Sequence, residues 1–507
     1  MENIYELINP KELDKTALIQ NEKKISYRLL INSVDKLAAF LSNLDVKKGD
    51  VIAIFSTKDI YEVYSIFAIA KIGAMFININ PNYKEDYIKQ IIDECNIKFV
   101  LINNENIKRI ENILNVISEK NLNIIRFFEN DVYFDNTISS IDYITVNDFS
   151  QTNICNKNCN DYAVIIYTSG STGKPKGIIV THKILIDSTV ISAEFLNNTA
   201  DDVIMSITPF SFDGALSQLF TALYKGATLV FQKSLLPSDI VNTMVNQRIT
   251  GFHGMPSLWK MLLQKRSPLR KYEYPYLRYI SIIGEPLSIS TYNELKSIFK
   301  NTHICVMYGT TEAFRSTYIW DDEYEAHYPS VGKAISGVKL SVVDEDGNIC
   351  APNKIGEIVH SGVFVSPGYW NDDELTKQKF VNNSFYTGDM GYLSEDGYLY
   401  VEGRKDQIVK VMGYRINLLE IEDVVQQINA VDNCVAGIYY DQKQIAKIYV
   451  IVETSNNYDE LQNEIIEICK KQLQYFMVPS FIAFTNELPK TYNYKVDRKL
   501  VRIEDYI

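Results

Sequence analysis

The sequence predicts an α/β protein: a large N-terminal domain of layered α/β subdomains with a β-rich lobe, then a small α+β C-terminal domain. Three observations predict it. Apolar runs of strand length alternate with stretches of helical periodicity up to residue 308, the pattern of helices layered on a mostly parallel sheet. Residues 338–344 and 356–361 alternate around turn signals such as Asp346-Gly347, which reads as the β-rich lobe. Beyond residue 404 the chain becomes polar and basic over 405–415, so the domains are drawn as 1–404 and 405–507.

Taken in order, residues 25–45 carry Leu29, Leu30, Val34, Leu37, Ala38 and Leu41 near helical spacing and predict an amphipathic helix. Val51–Phe55 is a short apolar run and predicts a buried strand, with a helix over 61–73. Strand-like runs follow at 97–102 and 163–167, and the alternation returns over 203–308. The Asn-rich stretch 150–160 reads as a surface loop.

A chain of 507 residues can bury a core that needs no disulfide or metal staple. Its net charge of −12 argues against nucleic acid, which needs clustered Lys and Arg, but not against one local nucleotide site. The seven cysteines are scattered, and the close pair Cys155 and Cys159 lacks further ligands, which favours a reducing compartment over disulfides or zinc. The acidic N-terminus lacks a signal peptide's features, and no stretch approaches the roughly 18 apolar residues of a membrane helix. The expectation is a cytoplasmic protein with no membrane partner.

The strongest local signal runs from Tyr167 to Gly177: Thr168, Ser169, Gly170, Ser171, Thr172, Gly173, Lys174, Pro175 and Lys176 lie between. It follows an apolar strand. Its glycines let backbone N–H groups approach an anion, and its hydroxyls and two lysines add donors and charge, as a polyphosphate requires. Pro175 after Lys174 separates it from the P-loop pattern, which needs Ser or Thr there. A Ser/Gly tract alone would read as a surface turn.

Further motifs follow in order: Phe212-Asp213, Gly284-Glu285-Pro286, Tyr308-Gly309-Thr310-Thr311-Glu312, Tyr386-Thr387-Gly388-Asp389, Gly403-Arg404-Lys405-Asp406, and Pro489-Lys490-Thr491 through Lys495-Val496-Asp497-Arg498. Together they resemble the adenylate-forming superfamily of acyl-CoA synthetases, luciferases and nonribosomal peptide synthetase adenylation domains, and most closely a stand-alone amino-acid adenylation domain. The resemblance implies that ATP and Mg²⁺ are used, that the small domain is mobile about Arg404–Asp406, and that Lys495 is the catalytic residue. It implies nucleotide contacts from the Thr168–Lys176 loop, Gly284, Glu285, Pro286, Thr310 and Thr311. Tyr308 would stack on adenine with Gly309 allowing close approach, Asp389 and Arg404 would hold the ribose, and Glu312 would hold the metal. Two departures from the family pattern stand out: Tyr494 replaces the glycine before the lysine, and Thr310 replaces a proline.

The same resemblance places Asp213 against a substrate α-ammonium and outlines a pocket of Asp213, Gly214, Ser217, His253, Ser281, Ile283, Met307, Arg315 and Ser316. Its polar lining points to a polar or acidic amino acid, or an amino-aryl acid such as a hydroxylated anthranilate, with His253 or Arg315 meeting the polar group; the alternative has Arg315 in solvent. Because the chain ends soon after the lysine motif, the expected thiol is the phosphopantetheine of a separate carrier protein, or CoA. An acyl- or aryl-CoA ligase of the same fold is the competing enzyme reading. A catalytically silent scaffold is the third, and the retained Lys174, Glu312, Asp389 and Lys495 speak against it.

Overall fold

The computed structural model describes residues 1–103, 106, 108, 112, 122–128, 131–137, 140–142, 158–169, 175–405, 408–411, 414–440, 446–455, 458–473, 477–491, 496–498 and 500–506. Local sequence sets the element ends. The first long helix spans Tyr27–Asn43 and starts where the Ser26 hydroxyl accepts from the Leu29 amide at 3.2 Å. It buries Leu30, Val34, Leu37, Ala38 and Leu41, whereas Leu29, counted by spacing on the same face, is 46% exposed. The next helix, Ile60–Lys71, is capped by Asp59, whose carboxylate accepts from Glu62 N at 2.8 Å.

Two nine-stranded sheets form among the described residues. In one, Val51–Phe55 lies between Met75–Ile79 and Phe99–Asn103, all parallel. Tyr162–Ser169 extends that sheet and turns back as Pro175–Thr181. In the other, Val203–Ser206, Gly251–Gly254, Tyr279–Ile282 and His303–Tyr308 run parallel side by side, and Thr317–Trp320 closes them antiparallel. The centres are thus parallel, as expected, and the edges antiparallel. A continuous apolar cluster including Phe67, Phe76, Leu216 and Phe220 joins helices and strands of both sheets.

The β-rich lobe is a smaller antiparallel sheet that includes Val338–Val343, Gly356–Gly362, Ser384–Leu393 and Leu399–Arg404. The C-terminal domain has its own apolar clusters, one around Ile421, Val425, Val450 and Ile465 and one around Val435, Ile451 and Leu488. No helix among the described residues is long and apolar enough to cross a membrane.

Candidate active site

The residues expected to form an acid pocket come from one helix, three neighbouring strands and the segments that follow two of them. Asp213 opens the helix Asp213–Lys225, and its Oδ1 accepts from Gly214 N at 2.8 Å. Ser217 lies one turn later on the same face. A Cβ on Gly214 would stand 3.2 Å from His253 Nε2, so any larger residue there would press on the imidazole. His253 and Ser281 are register partners on adjacent parallel strands, with Nδ1 and Oγ 3.0 Å apart. Burial, with help from the positive charges of Arg315 and Lys58, pushes His253 down to about 3, so the ring is neutral near pH 7.

Arg315 points inward. It is 5% exposed; its NH2 donates to Ser217 Oγ at 2.8 Å and its NH1 to Met307 Sδ at 2.9 Å. Two backbone features deliver it there. A Cβ on Gly309 would lie 2.5 Å from Phe314 O and 2.8 Å from Arg315 Cα, so only glycine lets the chain fold back so closely. Phe314 holds a left-handed φ of 48°, a conformation unfavourable for a bulky residue. Asp213, Gly214, Ile283, Phe314 and Arg315 line one cavity of about 20 Å³. Ser217, His253, Ser281 and Arg315 share another of similar size with Gln218, Thr221 and Tyr279. Ser316 lies apart from both linings, its hydroxyl 2.8 Å from His360 Nδ1.

At the expected nucleotide end, Asp389 and Arg404 face each other across two antiparallel strands, with NH1 donating to Oδ1 at 3.0 Å. The Tyr308 hydroxyl donates to Asp389 Oδ2 at 2.5 Å; burial and that carboxylate hold the phenol well above its usual range, so it stays a donor. Loss of solvent raises the Glu312 carboxyl, although Tyr369 Oη donates to it at 3.0 Å. Lys176, paired across from Thr168, has its ammonium 5.8 Å from the centre of the Tyr369 ring. Gly284 adopts a left-handed φ of 95°, and Glu285 caps the Ser257 amide at 2.9 Å. The donor set suits a nucleotide and its cation: acidic Glu312 and Asp389, cationic Lys176 and Arg404, and Thr310 Oγ1, buried with no partner among the described residues.

Gly170, Ser171, Thr172, Gly173, Lys174, Asp406 and Lys495 lie outside the described residues. Around Lys495, Lys490 bridges Val496, Asp497 N donates to Pro489 O at 2.7 Å, and Arg498 forms a two-pronged ion pair with Glu422.

The sequence reading missed several contributors. Lys58 is buried, donates to the Thr208 carbonyl and lies 4.4 Å over the Phe210 ring, supporting the segment that leads into Asp213. Burial pushes its ammonium down to about 7. Tyr279 could have been found by period two from Ser281; Tyr369 and Lys58 join through long-range packing that leaves no local signal.

Residues 8–370 match the AMP-binding enzyme family, and residues 420–495 match the AMP-binding enzyme C-terminal domain. The chain belongs to the AMP-binding enzymes, a family of adenylate-forming acid–thiol ligases. Among its relatives, bacitracin synthase 1 of Bacillus licheniformis is 28% identical over 96% of this chain, which spans 9% of that protein. Zwittermicin A synthase ZmaJ of Bacillus cereus is 27% identical over 97% of this chain and 92% of its own length. The fold is shared with the anthranilate CoA ligase AuaEII, solved with anthranoyl-AMP: TM-score 0.87, 23% identity, covering 98% of this chain and 96% of that one.

Proposed function

We propose that the protein activates an amino acid, or an amino-substituted aryl acid, with ATP and passes it to the phosphopantetheine thiol of a separate carrier protein. The observation that carries this reading is Asp213, a carboxylate lining the acid pocket at the start of its helix. An α-ammonium there gains a charge partner, whereas an acid lacking the amine leaves the carboxylate desolvated. The family match supports the use of ATP.

In the first step a substrate carboxylate oxygen bonds to the α-phosphorus, and the bond to the β-phosphate breaks, releasing pyrophosphate. Both reactants are anionic, so fixed positive charge and alignment are what the protein must supply. Lys176 and Lys495 are assigned that charge, Asp389 and Arg404 the ribose, and Tyr308 the adenine. Glu312 would hold Mg²⁺, which when bound neutralises phosphate charge. In the second step the thiol sulfur bonds to the acyl carbon, AMP leaves, and the thiol proton passes to solvent. The domain boundary at 404/405 and the turning of the small domain between the two steps belong to the same proposal.

ATP–pyrophosphate exchange tests it. Exchange should require an amine-bearing acid and fall with Asp213→Asn, most of all in KM for the acid. Exchange only with acids lacking an amine would put the CoA ligase reading first. Acyl transfer to CoA rather than to a loaded carrier protein would correct the thiol alone.

A further inference from the structure

Arg315 is a buried cation whose countercharge is not in direct contact. A guanidinium has five N–H donors, cannot lose its charge in a protein, and suits a planar carboxylate by its fork geometry. Here its bonds are one to a hydroxyl, Ser217, and one to a thioether, Met307, which is a weak acceptor. No carboxylate of the described residues lies within ion-pair distance of it; Asp213 acts on it only through space. Burying a charge in this way is costly unless a partner arrives.

His253 cannot share the role of cation, since it is neutral at physiological pH, and its Nδ1 is occupied with Ser281. Among the described residues that line the two cavities, Arg315 is therefore the one fixed positive charge, set against the negative charge of Asp213 on the same cavity wall. A ligand matching both carries an ammonium and an anion besides the carboxylate that reacts. Arg315 borders two free spaces of about 20 Å³, each with room for about one water, so a long side chain would have to dislodge the guanidinium from Ser217.

We infer that Arg315 receives a second carboxylate on the substrate, so that the acid activated here is a short amino dicarboxylate, of the size of aspartate. This rests on the amino-acid reading above and narrows it. It sets Arg315, rather than His253, as the residue that selects the side chain, with Ser217 and Met307 as the parking contacts the guanidinium leaves or keeps when the anion arrives.

The test is ATP–pyrophosphate exchange with L-aspartate, L-asparagine, L-glutamate and succinate, using the full chain, Arg315→Met and Arg315→Lys. Asparagine is nearly isosteric with aspartate, so the pair isolates charge. The expected result is a preference for aspartate over asparagine of about 100-fold or more in kcat/KM, with glutamate behind aspartate. Arg315→Met should abolish that preference, chiefly through KM for aspartate, and Arg315→Lys should restore part of it. Unchanged thermal stabilisation by ATP in Arg315→Met would show the fold and nucleotide end intact. A preference for asparagine or apolar amino acids, or an aspartate-to-asparagine ratio unmoved by Arg315→Met, would overturn the inference while leaving the amino-acid reading in place. Succinate accepted as well as aspartate, with that activity lost in Arg315→Met, would do the reverse: the anion receptor would stand and the role of Asp213 would fall.

Discussion

The acid pocket and the nucleotide end manage charge in opposite ways. At the nucleotide end, Asp389 is already paired with Arg404 and Tyr308 at 3.0 and 2.5 Å, and the guanidinium side chain remains 41% exposed. That pair balances its own charges, and preorganised hydrogen bonds cost no rearrangement when a ligand binds. In the acid pocket, Arg315 is buried on a hydroxyl and a thioether, and the neighbouring histidine stays neutral. On the reading proposed above, the Asp389–Arg404 end is ion-paired without a ligand, whereas Arg315 and Asp213 share the pocket with no ion pair between them. Such a division fits one common cosubstrate read by a fixed frame and one particular acid read by the charge it brings.

Four measurements would break or sharpen that comparison. The largest effect is expected from Lys495→Ala, which should lower exchange by about 10²–10³-fold in kcat at saturating acid and ATP alike, because its charge is assigned to the transition state rather than to either end. Loss confined to KM for one substrate would place the lysine at that end instead. Asp389→Ala removes charge-assisted bonds of about 1.5–3 kcal/mol, so KM for ATP should rise about 10–100-fold with KM for the acid little changed. A rise in both would mean that the two ends are coupled.

Gly214→Ala puts a methyl group 3.2 Å from His253 Nε2. The crowding should raise KM for the acid by up to about tenfold and leave KM for ATP unchanged. The fourth prediction concerns stability rather than turnover. His253 is held at about 3, and His182 and His360 at about 4, all by burial, below their usual 6.5. Between those values the unfolded chain binds more protons than the folded one, so stability is full above pH 6.5 and falls as the pH drops toward 4. Each histidine contributes a slope of about 1.4 kcal/mol per pH unit in that window. Urea midpoints at pH 7.5 and 5 would measure it, and replacing His253 by Asn should flatten the pocket's share.

Much of this arrangement could be read from the sequence, because its parts are local. The Asp213–Ser217 spacing is one helical turn, and the strand runs at 51–55 and 163–167 match Val51–Phe55 and the core of Tyr162–Ser169. The parts that could not be read depend on packing between distant segments. Spacing put Leu29 on the buried face, but the helix is rotated so that Leu30 is the inward residue. Whether Arg315 faced the pocket or solvent was open from pattern alone, because the residue follows a turn whose direction is set by Phe314 at positive φ and by the contact at Gly309. Lys58 and Tyr369 join the site from segments far away in the chain, through the Thr208 carbonyl and the Glu312 carboxylate.

The central claim is that a substrate carboxylate oxygen becomes bonded to the α-phosphorus of ATP, and oxygen transfer tests it most directly. The acid would be labelled with ¹⁸O in its carboxylate, turned over with ATP and a thiol acceptor, and the nucleotide product weighed. The account predicts AMP carrying one ¹⁸O atom, since the thiol displaces that oxygen together with the phosphate. ADP as the product, with the label in inorganic phosphate, would mean an acyl phosphate rather than an acyl-adenylate and would contradict it.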